Sequence, residues 1–211
     1  MLLDVLEEDL LHMVRATLDE DVGSGDITAA LIPEEQTASA SVICREKAVL
    51  CGQAWFNAVF AELDDRININ WQARDGDTIE QEQVLCTLSG PARPLLTGER
   101  SALNFLQTLS ATATLARRYA DTVADLPVRL LDTRKTIPGL RQAQKYAIRT
   151  GGCHNHRSGL YDAILIKGNH IAATGSIGNA VSQARKLHAN VMVEVEVENE
   201  DQLQQALDAG A

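Results

Sequence analysis

The residues best placed to do chemistry form a basic island between Arg129 and His170. It holds Arg129, Arg134, Lys135, Arg141, Lys145, Arg149, Arg157 and Lys167, against Asp132 and Asp162 alone as acids. His154, His156 and His170 fall in the same stretch, in a chain whose formal charge is −10. Arg134-Lys135 and Lys167 each come after a short apolar, strand-like run, Val128 to Leu131 and Ala163 to Ile166. The C-terminal ends of parallel strands are where α/β folds bind ligands, so these three cations are candidates for an anion site. Arg141, Lys145 and Arg149 stand at i, i+4 and i+8 and read as an ordinary solvated helix face. In Gly151-Gly152-Cys153-His154-Asn155-His156-Arg157 the glycines allow a close backbone approach, and Arg157 offers a bidentate fork to a carboxylate or phosphate. His154-x-His156 is two ligands in a loop, too few for a metal centre.

The second informative run is Val191 to Glu198, in which valines alternate with Glu194, Glu196 and Glu198. Period-two geometry puts the carboxylates on one face and the valines on the other. That suits a solvent-facing antiparallel strand. It equally suits a barrel strand whose carboxylates line the lumen, where one could hold Mg²⁺ or ribose hydroxyls. A G-x-G-x-x-G fingerprint and a Walker loop are both absent from the sequence.

The elements that must position these groups follow from periodicity. Leu3 to about Leu18 is apolar at helical spacing (Val5, Leu6, Leu10, Met13, Val14, Leu18), with the acids Asp4, Glu7, Glu8 and Asp9 interleaved near its start. Thr37 to Cys51, Ile67 to Trp71 and Val84 to Leu88 read as strands of a small mixed sheet that ends near Gly90-Pro91. Leu95 to Ala124 is helical again. Beyond Pro127 the apolar runs Val128–Leu131, Ala163–Ile166 and Val191–Val197 alternate with helical segments at 142–149, 177–187 and 200–209. That alternation predicts βαβ units and a parallel sheet, open or closed into a barrel. The chain is 45% hydrophobic but only 4% aromatic, which predicts an aliphatic core.

The acidic balance, with a pI near 4.9, disfavours nucleic-acid or anionic-membrane binding. Cys44, Cys51, Cys86 and Cys153 include no C-x-x-C pair and read as reduced, mostly buried thiols. The expectation is a soluble, cytoplasmic protein, without a signal peptide or membrane span. A helix running into Ala209-Gly210-Ala211 would ordinarily lead to another strand, so either a piece of a longer protein or a sheet closed by a partner is expected.

With these residues in view, the chain resembles bacterial quinolinate phosphoribosyltransferase. The likeness rests on Asp21 to Ala29 (DVGSGDITA), Thr97 to Ser110 (TGERSALNFLQTLS), Leu131 to Arg141 (LDTRKTIPGLR), Gly151 to Leu160 (GGCHNHRSGL), Ile164 to His170 (ILIKGNH) and Val193 to Val197 (VEVEV). It implies an α/β fold with an N-terminal mixed α+β sandwich domain over 1–112. A parallel α/β barrel would follow over 113–211, incomplete in this chain. It also implies transfer of phosphoribose from phosphoribosyl pyrophosphate to quinolinate with loss of CO₂, using Mg²⁺ and no organic cofactor.

By motif position Thr133, Arg134, Lys135, His156 and Arg157 would bind quinolinate, and Arg100 would reach the same pocket of a partner in a homodimer. Lys167 would contact phosphoribosyl pyrophosphate or the reacting carboxylate, and Glu196 the ribose hydroxyls or the metal. Lys135, Lys167 and Glu196 are the expected catalytic groups. Gly168 departs from the family pattern, which places an acid there, and Ala111 and Cys153 replace glycines. The resemblance further implies strands beyond Ala211 that carry the phosphate site, so Met1 to Ala211 alone is expected to be inactive. Three rivals remain: a molybdenum-transport-associated paralogue, a Schiff-base aldolase using Lys167, and a non-catalytic paralogue that only binds a dicarboxylate.

Overall fold

The computed structural model describes residues 2–211, with side chains from residue 8 onward, and divides into two compact units, 1–156 and 157–211. Helix α1 (Leu2–Val22) runs beyond both expected ends. Of its apolar stripe, Met13 and Val14 are buried, whereas the side chains of Leu3, Asp4, Val5, Leu6 and Glu7 lie outside the described residues. A short 3₁₀ turn (Ala29–Leu31) leads to strand β1 (Thr37–Ile43).

The run from Thr37 to Cys51 is not one strand. A register shift between Val42 and Ile43 is followed by the charged turn Arg45-Glu46-Lys47, after which β2 (Ala48–Val49) pairs elsewhere. Helix α2 (Gln53–Leu63), which periodicity had not marked, is followed by β3 (Asn68–Trp71), β4 (Thr78–Ile79) and β5 (Val84–Pro91). The sheet order is β1-β5-β3, all antiparallel, with β2-β4 a separate antiparallel pair.

Helix α3 (Ala92–Thr122) covers this sheet domain with 31 residues. Its Gly98 packs so closely on α2 that a Cβ there would stand 2.8 Å from Leu63 and 2.9 Å from Phe60. The core is not purely aliphatic. Trp55, Phe56, Phe60 and Phe105 are buried, and Phe56 meets Phe60 and Trp71 edge-on at 5.2 and 5.1 Å. A low aromatic count does not predict aromatic-poor packing when six of the eight rings pack in or against one core.

Helix α4 (Arg141–Thr150) packs on α3 through Ala143 and Ala147, both fully buried. The strand expected at Val128–Leu131 reduces to a single parallel bridge between Leu131 and His154. Two backbone bonds make it, from His154 N to Leu130 O (2.8 Å) and from Asp132 N to His154 O (3.0 Å).

The second unit is a βαβ arrangement. Strand β6 (Ile164–Ile166) pairs in parallel with β7 (Val193–Val195), in register Ile164 to Val193 and Ile166 to Val195. Between them lie α5 (Gly168–Thr174), also unmarked by periodicity, and α6 (Ile177–Leu187); α7 (Glu200–Asp208) follows. Ser176 caps α6 by accepting from Asn179 N at 3.1 Å, and Asn199 caps α7 by accepting from Gln202 N at 2.9 Å. Ile166, Ile177, Val181 and Val193 form its core. The valines of β7 turn inward and Glu194, Glu196 and Glu198 outward, as the alternation requires. No closed barrel forms among the described residues.

Candidate active site

The site is built first on Asp132, which follows the Leu131 bridge. Its side chain is fully buried and accepts three donors: Lys145 Nζ at 2.5 Å and His156 N at 2.8 Å on Oδ1, and Asn155 Nδ2 at 2.6 Å on Oδ2. Asn155 Nδ2 also reaches Lys145 O at 2.9 Å, and Lys145 Nζ lies 3.3 Å from His156 O. Lys145 is therefore not helix surface. It is 2% exposed and ties α4 to both loops. The helical spacing holds, but a loop covers the middle of the stripe: Arg149 is exposed, and Arg141 is half-buried with its Nε on Thr136 Oγ1 at 3.2 Å.

Beyond Asp132 the chain turns tightly. Thr133 Oγ1 accepts from Lys135 N at 3.1 Å, and Ile137 N donates to Gln144 Oε1 of α4 at 2.8 Å. Thr133 and Lys135 are exposed, while Arg134 is half-buried, its Nε enclosed without a hydrogen-bond partner in the protein. An enclosed guanidinium donor lacking an acceptor is costly, about 1–3 kcal/mol or more for a charged group, unless a ligand supplies the acceptor. His154 is exposed and His156 half-buried.

Helix α4 is anchored on its other side by Tyr146, whose hydroxyl donates to Asp75 Oδ2 at 2.8 Å. Burial, the Asp75 charge and that bond push the Tyr146 phenol well above its ordinary range. Asp75 Oδ1 accepts from Gly52 N and Gln53 N at 3.0 and 3.2 Å, and burial pushes the nearby Cys51 thiol up to about 12, Asp75 adding to it. At its C-terminal end, Gly151 lies against α3 and Arg117 Nε donates to Gly151 O at 3.0 Å.

Arg100 is exposed on α3, one turn after Thr97, whose hydroxyl donates to Asp26 Oδ2 at 2.9 Å. The amide of Ala29, then Thr97 and the amide of Thr28, hold the Asp26 carboxyl below its ordinary range. Ser101 Oγ lies 3.3 Å from Asp21 Oδ2, so the DVGSGDIT segment is fastened to α3 on either side of Arg100.

In the second unit Lys167 and Glu196 stand at the C-terminal ends of the parallel strands, and their side chains pair at 3.1 Å while remaining half exposed. The register brings them together, since Glu196 N donates to Ile166 O at 2.8 Å. His170 Nδ1 accepts from Lys167 N at 2.9 Å, which places the ring proton on Nε2. Arg157 Nη1 reaches Ala163 O at 3.4 Å, and Asp162 closes the intervening turn by accepting from Ser158 N and Gly159 N. Gly168 has open space, where an added Cβ would meet nothing within 4 Å. Among the described residues no group of three or more His, Cys, Asp or Glu could by itself hold a metal.

Residues 26–110 match the family described as quinolinate phosphoribosyl transferase, N-terminal domain, and residues 112–211 match its C-terminal domain. A "probable nicotinate-nucleotide pyrophosphorylase [carboxylating]" of Bacillus subtilis is 44% identical over 193 residues, covering 91% of this chain and 67% of its own length. The chain belongs to the quinolinate phosphoribosyl transferase family. A Synechocystis relative of the same name is 40% identical over 191 residues, covering 90% of this chain and 65% of its own. The solved nicotinate-nucleotide pyrophosphorylase of Francisella tularensis superposes with a TM-score of 0.93 at 46% identity, over 97% of this chain and 72% of that one. The chain thus spans about two thirds of the length of these curated relatives. Within the family scaffold, Arg134, Lys135 and His156 share the first unit, and Arg157, Lys167 and Glu196 the second. Asp132, Lys145 and Asn155, which hold two of the loops, were not foreseen; the one signal was an acid directly between an apolar run and Arg134.

Proposed function

We propose that the full protein transfers the phosphoribosyl group of phosphoribosyl pyrophosphate to the ring nitrogen of quinolinate. Nicotinate mononucleotide, pyrophosphate and CO₂ are the products, formed in the cytoplasm for NAD synthesis. The observation that carries this reading is the enclosed Arg134 Nε without a protein acceptor, shortly after the Leu131 bridge and beside Lys135. Such a donor is suited to a ligand carboxylate. Arg134, Lys135, His156 and Arg157 bind the two quinolinate carboxylates with Thr133, and Arg100 serves the partner's site in a homodimer.

As pyrophosphate leaves, positive charge develops on the ribose ring, so positioning and charge stabilisation carry most of the catalysis. Glu196 faces that developing charge or the ribose hydroxyls, and Lys167 neutralises phosphate or the reacting carboxylate. Once the ring nitrogen is quaternised, the carbon–carboxylate bond beside it breaks, CO₂ departs, and the electron pair stays on the ring carbon until a proton replaces it. The adjacent cationic nitrogen is the electron sink, so no organic cofactor is required. Mg²⁺, when bound, neutralises the pyrophosphate charge; one carboxylate plus substrate phosphates is an ordinary ligand set for it, and Glu196 is the residue that would hold it.

The test is formation of nicotinate mononucleotide by the full-length protein from quinolinate, phosphoribosyl pyrophosphate and Mg²⁺. Quinolinate-dependent product is expected. Quinolinate binding with no product would instead favour a non-catalytic dicarboxylate binder.

A further inference from the structure

We infer that Lys145, acting through Asp132, is a positioning residue that holds the His156 loop and the Arg134 loop in the geometry the substrate carboxylates require. The inference deepens the function proposed above and rests on it. Its carrier is the way one buried ion pair grips the backbone of a single residue. His156 N donates to Asp132 Oδ1 at 2.8 Å while His156 O faces Lys145 Nζ at 3.3 Å. Both polar backbone atoms of a candidate substrate-binding residue are thus fixed by opposite members of the same pair.

The pair reaches the neighbouring residues as well. Asp132 is two positions before Arg134, and Asn155, adjacent to His156, bridges Asp132 Oδ2 and Lys145 O. The single bridge between Leu131 and His154 is too short a ladder to set the two loops unaided.

Burial makes the choice of residues informative. The Lys145 and Asp132 side chains are 3% and 0% exposed. Removing two charges from water is expensive, and well-packed apolar side chains stabilise such a position at least as well as an ion pair does. What apolar side chains cannot do is accept an amide hydrogen and donate to a carbonyl at fixed directions. The pair therefore supplies directional restraint beside the ligand. Small displacements there are amplified, since about 1 Å of misplacement can cost on the order of a hundredfold in rate.

The experiment compares wild type, Lys145→Met and the double variant Lys145→Met/Asp132→Asn in the full-length protein. The Michaelis constants for quinolinate and phosphoribosyl pyrophosphate are measured alongside the thermal midpoint. Lys145→Met strands a buried carboxylate and lowers the midpoint; the double variant removes that charge and recovers most of it. Quinolinate KM is expected to rise at least about tenfold in both variants, with phosphoribosyl pyrophosphate KM within about twofold of wild type. A purely structural role predicts that quinolinate KM returns with the midpoint, or that only the active fraction falls; either result overturns the inference. If Lys145→Met does not fold, the double variant decides alone. A wild type that makes no product sinks the proposed reaction separately, and quinolinate dissociation constants from calorimetry on the same proteins then decide the positioning role. No binding of quinolinate by wild type removes both.

Discussion

Substituting Gly151 by Ala should destabilise the first unit by about 3 kcal/mol, chiefly through collision with α3. The residue lies at the end of α4 with φ −75°, a conformation any residue adopts, so no strain arises from its own dihedrals. The difficulty is its neighbour. An added Cβ would stand 2.4 Å from Ala113 O, 2.5 Å from Ala116 Cβ and 3.0 Å from Arg117 N, all on α3. Carbon atoms prefer separations of about 3.5–4.0 Å, so α4 must retreat by about 1 Å from a helix that cannot give way.

Overpacking of this kind costs about 1–3 kcal/mol. The retreat also stretches the Arg117 bonds to Gly151 O and Thr150 O, now 3.0 and 3.4 Å, for about another 1–2 kcal/mol. Reduced entropy of the unfolded chain returns about 0.4–1 kcal/mol. The assay is urea unfolding followed by tryptophan fluorescence. The protein's two tryptophans, Trp55 and Trp71, both belong to the first unit. With an m-value of about 2 kcal/mol/M, the midpoint should fall by about 1.5 M. Gly152→Ala is the internal comparison. There the backbone is left-handed, φ +99°, but the nearest contact is an ordinary 3.4 Å, so about 1–2 kcal/mol is expected. A Gly151→Ala loss below about 0.5 kcal/mol, or one smaller than that of Gly152→Ala, would refute the reasoning.

Arg134→Ala should raise quinolinate KM by at least about tenfold, the loss of one charge-assisted carboxylate bond, whereas Arg149→Ala, an exposed cation at the end of α4, should leave it within twofold; equal effects in steady-state product assays would contradict the assignment. Gly168→Asp restores an acid at the start of α5 where space is open, and should leave the fold intact with about 0.3–1 kcal/mol of added stability, read by calorimetry; a loss greater than 1 kcal/mol would contradict it. Stability should also decline in alkali. Burial raises Cys51 and Cys86 to about 12 in the folded chain, whereas unfolded thiols ionise near about 8.5. The unfolded state then binds fewer protons than the folded one, so this contribution is complete below about pH 8.5 and is lost as pH rises towards 12. Urea midpoints at pH 7 and 10 test it, and a flat profile between them would refute it.

The parts of this fold that periodicity revealed are those whose pattern is set by one buried face. Val193 and Val195 against Glu194 and Glu196 was such a case, as was α6 at Ile177–Leu187. Helix α2 escaped because Ala54 to Phe60 is apolar on nearly every side, leaving no polar stripe to mark the period. The Thr37–Cys51 run was divided by a charged turn that local propensity did not weigh against its apolar flanks. In the second unit, Lys167 was marked by the apolar run before it and Glu196 by its place in an alternating run, and the parallel register is what joins them. Lys145 carried no such mark. A basic i, i+4, i+8 stripe looks the same whether water or a loop covers it, and the loop that covers it arrives through Asp132 and His156, far along the chain from one another.

Helix α3 carries a consequence for how such a protein can be inherited. The family's two domain descriptions meet at residues 110 and 112, inside a continuous rod of 31 residues, about 46 Å at the usual helical rise. Arg100 sits on its first half, and the wall against Gly151 on its second. A seam placed in mid-helix cannot behave as a hinge or accept an inserted residue, since one extra residue turns everything beyond it by about 100°. Recombination at that seam would have to preserve helical phase to the residue. The two domains therefore travel together, and their shared helix works as a ruler that keeps Arg100 in step with the loop after α4.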